Sequence, residues 1–248
     1  MRDWENNIRK VVPYTPGEQP KNTCVIKLNT NENPYPPAPG VKEVLSNFNT
    51  DDLRLYPDPK VDKLVNAIAD FYKIDSSKVF VGVGSDDVLA MIFMTFFNSK
   101  KPILFPDITY SFYDVWADML RIPYEQLPLS DDFSIVPSDY YKANGGVVFP
   151  NPNAPTGKLM PLDEIEDIIE HNQDVIVVVD EAYVDFGGES ALPLIDKYDN
   201  VIVVQTFSKS RSLAGSRVGF AMASPVLIKY LNDVKSVSYT HLTLPTIA

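Results

Sequence analysis

Thr206-Phe207-Ser208-Lys209-Ser210-Arg211-Ser212-Leu213-Ala214-Gly215-Ser216-Arg217-Val218-Gly219 places one lysine in a loop of hydroxyls, small residues and two arginines. It follows Val201-Ile202-Val203-Val204, an apolar run suited to a strand buried on both faces, so Lys209 is expected just past the carboxyl end of a parallel strand. Ligands of open α/β sheets bind at that end. A lysine amine attacks a carbonyl when neighbouring cations or burial keep part of it unprotonated, and Arg211 and Arg217 are candidates for such a field. The hydroxyls of Thr206, Ser208 and Ser210, with the guanidinium of Arg217, are the donors a phosphate dianion needs. Taken alone the stretch reads first as a solvated basic loop after a strand, and it is the rest of the chain that changes that reading.

The 248 residues, 45% of them hydrophobic, suffice for one large α/β domain or two small ones. With 33 acidic and 22 basic residues the net charge is −11, which opposes nucleic acid and anionic membranes as partners and favours a small-molecule site. Cys24 is the single cysteine, so neither an internal disulfide nor a thiolate metal cluster is expected, and a reducing cytoplasm fits. His171 and His241 lack ligand spacing, so no metal site is expected. Residues Met1 to Asn7 lack the apolar core of a signal peptide, and no run approaches the roughly 18 apolar residues of a membrane span.

Three units follow from the pattern. Residues 1–60, rich in Pro and Asn around Asn31-Glu32-Asn33-Pro34-Tyr35-Pro36-Pro37, read as an extended arm with little regular structure, suited to lying across another surface or a second subunit. Residues 61–235 read as an α/β domain. Val61, Leu64, Val65, Ile68 and Phe71 recur at helical spacing, and Val79-Phe80-Val81-Gly82-Val83-Gly84-Ser85-Asp86 runs strand, turn, helix start, with Ser85 or Asp86 as N-cap. Backbone N–H groups at such a start attract phosphate. A buried helix is expected from Val88 to Phe97. Further strands at Ile103-Leu104-Phe105, Val147-Val148-Phe149 and Val175 to Val179 lead into Tyr110, into the stiff loop Asn151 to Gly157, and into Asp180-Glu181-Ala182-Tyr183. One βα unit is expected between Asp180 and Lys209, giving a mostly parallel sheet with helices on both faces. Residues 236–248 have no helical period and look unlike evolved sequence.

The strand ends then carry a lysine for an aldehyde (Lys209), an acid for a ring nitrogen (Asp180), a phenol for a ring oxygen (Tyr183), an aromatic face (Tyr110) and a phosphate cup. Together they describe a pocket for pyridoxal 5′-phosphate, whose pyridinium nitrogen is tuned by an acidic partner. Lys209, freed once an amino substrate displaces it, is the group to move a proton from the substrate Cα.

In this order the motifs resemble fold-type I aminotransferases, and more closely the histidinol-phosphate aminotransferase family. The resemblance is carried by Leu28 to Tyr35, Tyr56-Pro57-Asp58-Pro59, Gly82 to Asp87, Asn151 to Gly157, Asp180 to Tyr183 and Thr206 to Gly219, from about residue 25 to about residue 235. It implies that Lys209 captures the cofactor aldehyde, Asp180 meets the pyridine nitrogen, Tyr183 bonds the phenolic oxygen and Tyr110 stacks on the ring. It also implies that Ser85, Asp86, Ser208 and Arg217 hold the phosphate, and that Tyr56 reaches the cofactor of a neighbouring subunit in a homodimer. The reaction implied is transfer of an amino group between L-histidinol phosphate and 2-oxoglutarate in histidine biosynthesis. Aromatic or other amino-acid aminotransferases and a phosphothreonine decarboxylase are the runners-up, with Glu32 favouring histidinol phosphate. A non-catalytic cofactor-binding module is a third reading, opposed by the lack of clustered basic residues for DNA.

Two departures stand out. Where many family members have Asn-Asn-Pro-Thr-Gly, this sequence has Asn153-Ala154-Pro155-Thr156-Gly157, leaving Asn153 as the substitute for the ring-oxygen asparagine. The family's small C-terminal domain, with its substrate-holding arginine, has no counterpart in the sequence after Val234-Lys235, so the 248 residues by themselves are expected to transaminate poorly.

Overall fold

In the computed structural model, which describes residues 8, 9, 12 and 26–235, the described residues form seven short strands. Cys24, His241 and the segment 236–248 lie outside the described residues, as does most of the first part of the arm. In chain order the elements are α1 (Pro39–Ser46), α2 (Asp62–Tyr72), β1 (Val79–Gly82), α3 (Ser85–Phe96), β2 (Ile103–Pro106), α4 (Tyr113–Leu120), β3 (Tyr124–Leu127), β4 (Val147–Pro150), α5 (Leu162–Glu170), β5 (Val177–Asp180), β6 (Val201–Thr206), β7 (Gly219–Ala223) and α6 (Pro225–Val234).

The sheet order is β1-β7-β6-β5-β4-β2-β3, and every neighbouring pair is parallel except the two made by β7. Because β7 is antiparallel to both β1 and β6, those two run the same way as the rest. The carboxyl ends of β1, β2, β4, β5 and β6 therefore open onto one edge of the sheet, where ligands of such sheets bind.

Alternate residues of each strand enter two separate cores, as the two-residue period requires. Val147, Phe149, Val177, Val179, Val201 and Val203 pack with α2 and α5 on one face. Val148, Val178, Ile202 and Val204 pack with α3, α4 and α6 on the other. Ile165, Ile168 and Ile169 of α5 are each fully buried, worth roughly 2 kcal/mol apiece in apolar area removed from water. Among the described residues, no helix is long and apolar enough to cross a membrane.

The structure corrects three expectations and adds two strands. The arm contains a helix, α1, because Pro39 presets the first turn and Val41, Val44 and Leu45 fall on one face at helical spacing, although only Val41 is buried. The N-cap of α3 is Gly84 at φ 89°, not Ser85 or Asp86, since the chain turns there through a conformation that favours glycine. Between β5 and β6 the connection holds two short 3-10 turns, Val184–Phe186 and Leu192–Asp196, and no α-helix. Strands β3 and β7 were not foreseen: β3 has only Leu127 buried, and the pairing of β7 with β1 joins residues far apart in sequence.

Candidate active site

Asp180 is the last residue of β5 and is 4% exposed. Its Oδ2 accepts a hydrogen bond from the Tyr113 hydroxyl at 2.9 Å, and its Oδ1 accepts from the Ala182 N–H at 3.2 Å. Burial pushes the carboxyl up to about 6, with both donors pulling the other way. A cationic N–H partner would offset the cost of burying such a carboxylate.

Lys209 lies three residues past the end of β6. Its Nζ donates to the Thr30 carbonyl at 2.9 Å and stands 5.4 Å from the centre of the Tyr183 ring. The Tyr183 hydroxyl accepts from Asn31 Nδ2 at 2.8 Å. Asn33 donates to the carbonyls of Lys209 and Ser210 at 3.2 and 3.0 Å. The arm thus lies across its own chain's lysine loop. Thr30 and Asn31, at φ 61° and 52°, make the turn that aims both contacts.

The register Gly82 opposite Gly219 and Gly219 opposite Thr206 brings three site segments into one row. Here the start of α3 meets Arg217. The first N–H groups of a helix have no intrahelical acceptor and carry the positive end of its dipole. The Nη2 of Arg217 is 3.6 Å from Asp86 Oδ2, and Asp86 Oδ1 in turn accepts from the Tyr110 hydroxyl at 2.6 Å. A Cβ on Gly84 would lie 2.6 Å from Arg217 Nη2, so a side chain at 84 would fill the space beside the guanidinium. Ser208 Oγ faces the Thr206 hydroxyl at 3.0 Å.

Several of the residues singled out in the sequence have partners within the chain. Of the hydroxyls proposed for phosphate, Ser210 bonds Asp185, and Thr206 Oγ1 is buried between Ser208 and Val218. Arg211 is committed elsewhere, to the Thr206 carbonyl, Tyr72, Gln205 and Asp185. Asn153 is buried, with its amide accepting from Thr109 Oγ1 at 3.0 Å and donating to the Ile108 carbonyl at 3.0 Å, so it holds the loop that carries Tyr110. Tyr110 itself packs among Phe112, Tyr113 and Trp116 with ring centres 5.7 to 6.4 Å apart. Tyr56 is 95% exposed and meets none of these groups within the chain.

Sequence reasoning missed Tyr113, fully buried at the start of α4, and Gln205, a buried amide inside an apolar strand. Gln205 donates to Glu181 Oε2 at 2.8 Å, and Glu181 also accepts from Ser190 Oγ and the Ala191 N–H. Burial pushes the Glu181 carboxyl up to about 7 against those three donors. A polar residue interrupting a buried run was the available signal for Gln205.

A mostly parallel sheet with an acid, a phenol, a lysine and an anion cup at its carboxyl edge is the architecture of fold-type I aminotransferases. The chain belongs to the aminotransferase class I and II family, whose model matches residues 23–248. Within it, the chain is 54% identical to the histidinol-phosphate aminotransferase of Lactococcus lactis subsp. cremoris, over 94% of this chain and 65% of that protein. It is 56% identical to histidinol-phosphate aminotransferase 2 of Dechloromonas aromatica, over 95% of this chain and 67% of that protein. Among solved structures, the histidinol-phosphate aminotransferase of Sinorhizobium meliloti, in complex with pyridoxal-5′-phosphate, matches with a TM-score of 0.79 at 22% identity. That match covers 88% of this chain and 61% of that one and is a likeness of fold. The chain spans just under two thirds of the length of the first of these relatives, 65%.

Proposed function

We propose that this chain supplies the cofactor-binding part of a pyridoxal-phosphate aminotransferase acting between L-histidinol phosphate and 2-oxoglutarate. The observation that carries the reading is the buried Asp180 at the end of β5, at the same sheet edge as Lys209, Tyr183 and the N-terminus of α3. The donor set fits the cofactor. Asp180 would hold a proton on the ring nitrogen, Tyr183 would bond the ring oxygen, and Ser208, Arg217 and the N–H groups of Ser85 and Asp86 would hold the phosphate. Bound there, pyridoxal phosphate supplies an electron sink for the charge left at the substrate Cα. Lys209 would hold the cofactor aldehyde and, once released, move the substrate Cα proton, while Tyr110, whose hydroxyl donates to Asp86, would lie against one face of the ring.

The substrate assignment is supported by the 54% and 56% identity to proteins of that name. A homodimer is part of the proposal, since the exposed Tyr56 then has a neighbouring cofactor phosphate to reach.

Borohydride treatment of the cofactor-loaded protein should fix the cofactor on the peptide containing Lys209, and Lys209→Ala should abolish both that adduct and turnover. Normal turnover by Lys209→Ala would end the assignment. Histidinol phosphate should be used far better than phenylalanine in the amino-donor half-reaction; equal use would move the protein to the aromatic aminotransferases. Sedimentation should show a dimer, and a monomer would remove the role given to Tyr56.

A further inference from the structure

The loop from Phe207 to Leu213 closes on itself, the Leu213 N–H donating to the Phe207 carbonyl at 2.9 Å and the Ser212 N–H to that of Lys209 at 3.1 Å. Its two cations, Lys209 and Arg211, have different partners. Lys209 meets Thr30 and Tyr183, whereas the Arg211 guanidinium lies over the rings of Phe207 and Phe220, 5.1 and 5.5 Å from their centres. Its planar fork donates to the Thr206 carbonyl at 3.0 Å, the Tyr72 hydroxyl at 2.8 Å and Gln205 Oε1 at 3.0 Å, and it pairs with Asp185 at 3.3 Å.

These partners come from the end of β6, from α2, and from the short turn that follows Tyr183. Asp185 also accepts from the hydroxyl of Ser210, the residue next to Lys209. Gln205 continues the chain of bonds to Glu181, the residue next to Asp180. One guanidinium thereby bridges the segments that carry Asp180, Tyr183 and Lys209, although it is bonded to none of the three side chains.

We propose that Arg211 is the positioning residue of the lysine loop, fixing where the Lys209 amine stands relative to Asp180 and Tyr183. A lysine side chain has four rotatable bonds, so its amine is placed no better than the backbone that carries it. A displacement of about 1 Å at a reacting group can cost on the order of a hundredfold in rate. Lysine in place of Arg211 keeps the charge but loses the planar fork that reaches several acceptors at once, so it restores the geometry only in part. The role rests on Lys209 being the carbonyl-capturing group.

The test uses Arg211→Met and Arg211→Lys in the 248-residue chain with two readouts. The first is the labelling rate of Lys209 by trinitrobenzenesulfonate without cofactor, read by peptide mass spectrometry with Lys229, on α6, as the internal control. The second is the dissociation constant for pyridoxal phosphate. Arg211→Met should change Lys209 labelling by about fivefold or more at constant Lys229 labelling and weaken pyridoxal phosphate by about tenfold, with Arg211→Lys in between. Lowered thermal stability with Lys209 labelling within about twofold of the parent would make Arg211 a merely stabilising cation and overturn the proposal. Should Arg211→Met not fold, Ser210→Ala and Asp185→Asn cut the same bridge more mildly, and unchanged labelling in both overturns it equally. If the parent binds no pyridoxal phosphate, the proposed function fails, while the labelling comparison still decides the role of Arg211.

Discussion

The hydroxyl of Tyr113, the first residue of α4, donates to Asp180 at the end of β5 across 2.9 Å, with both groups buried. Strand β5 is separated from β2, which precedes α4, by β4, so the bond crosses the sheet edge. Burial raises the hydroxyl of Tyr113 well above its usual range, so it stays protonated and serves only as a donor to the carboxylate.

Removing that donor with Tyr113→Phe should push the Asp180 carboxyl further up and weaken its grip on a ring N–H. A hydrogen bond to a charged group is worth about 1.5 to 3 kcal/mol, so pyridoxal phosphate should bind roughly ten- to a hundredfold more weakly. Fluorescence titration measures this, and an unchanged constant would remove Tyr113 from the site.

The raised carboxyls also predict a pH dependence. Asp180, at about 6, and Glu181, at about 7, bind protons more tightly folded than unfolded. Their contribution to stability is therefore fully present below the ordinary carboxylate range and is lost as pH rises through about 6 to 7. Glu181→Gln removes one of the two groups. Urea unfolding should show the parent losing stability relative to Glu181→Gln between about pH 5 and about pH 8, on the order of 2 kcal/mol. A flat or opposite difference would contradict the burial of Glu181 as an acid that resists ionisation.

Two glycines of the same loop region should behave oppositely. A Cβ on Gly219 would come within 2.2 Å of Gly84 C and Ser85 N, backbone atoms that have no rotamer to yield. Gly219→Ala should cost about 3 kcal/mol or more and weaken phosphate binding by prying the start of α3 from β7. A Cβ on Gly215 meets nothing within 4 Å, so Gly215→Ala should stay within about 0.5 kcal/mol of the parent. Denaturant midpoints of the pair check this directly.

Asn33 ties the arm to the lysine loop by two hydrogen bonds. Asn33→Ala should release the segment around Thr30 and Asn31, and hydrogen exchange there should speed by about fivefold or more, since each bond contributes about 1 kcal/mol. Unchanged exchange would mean that the arm is held by other contacts.

The sequence by itself determined which chemistry stands at which strand end. Apolar runs ending in Asp180 and leading to Lys209 announce buried strands, and a buried strand that stops at a polar group presents that group at the sheet edge. Local pattern carries that information because strand period and burial are properties of neighbouring residues. What only the tertiary structure decided is which distant residues meet there. Tyr113 against Asp180, Arg211 between α2 and the turn after Tyr183, and Gly219 against Gly84 each depend on the order and direction of strands. That order is set by packing whole elements into two cores, with β7 inserted antiparallel between β1 and β6, and no stretch of the chain contains it.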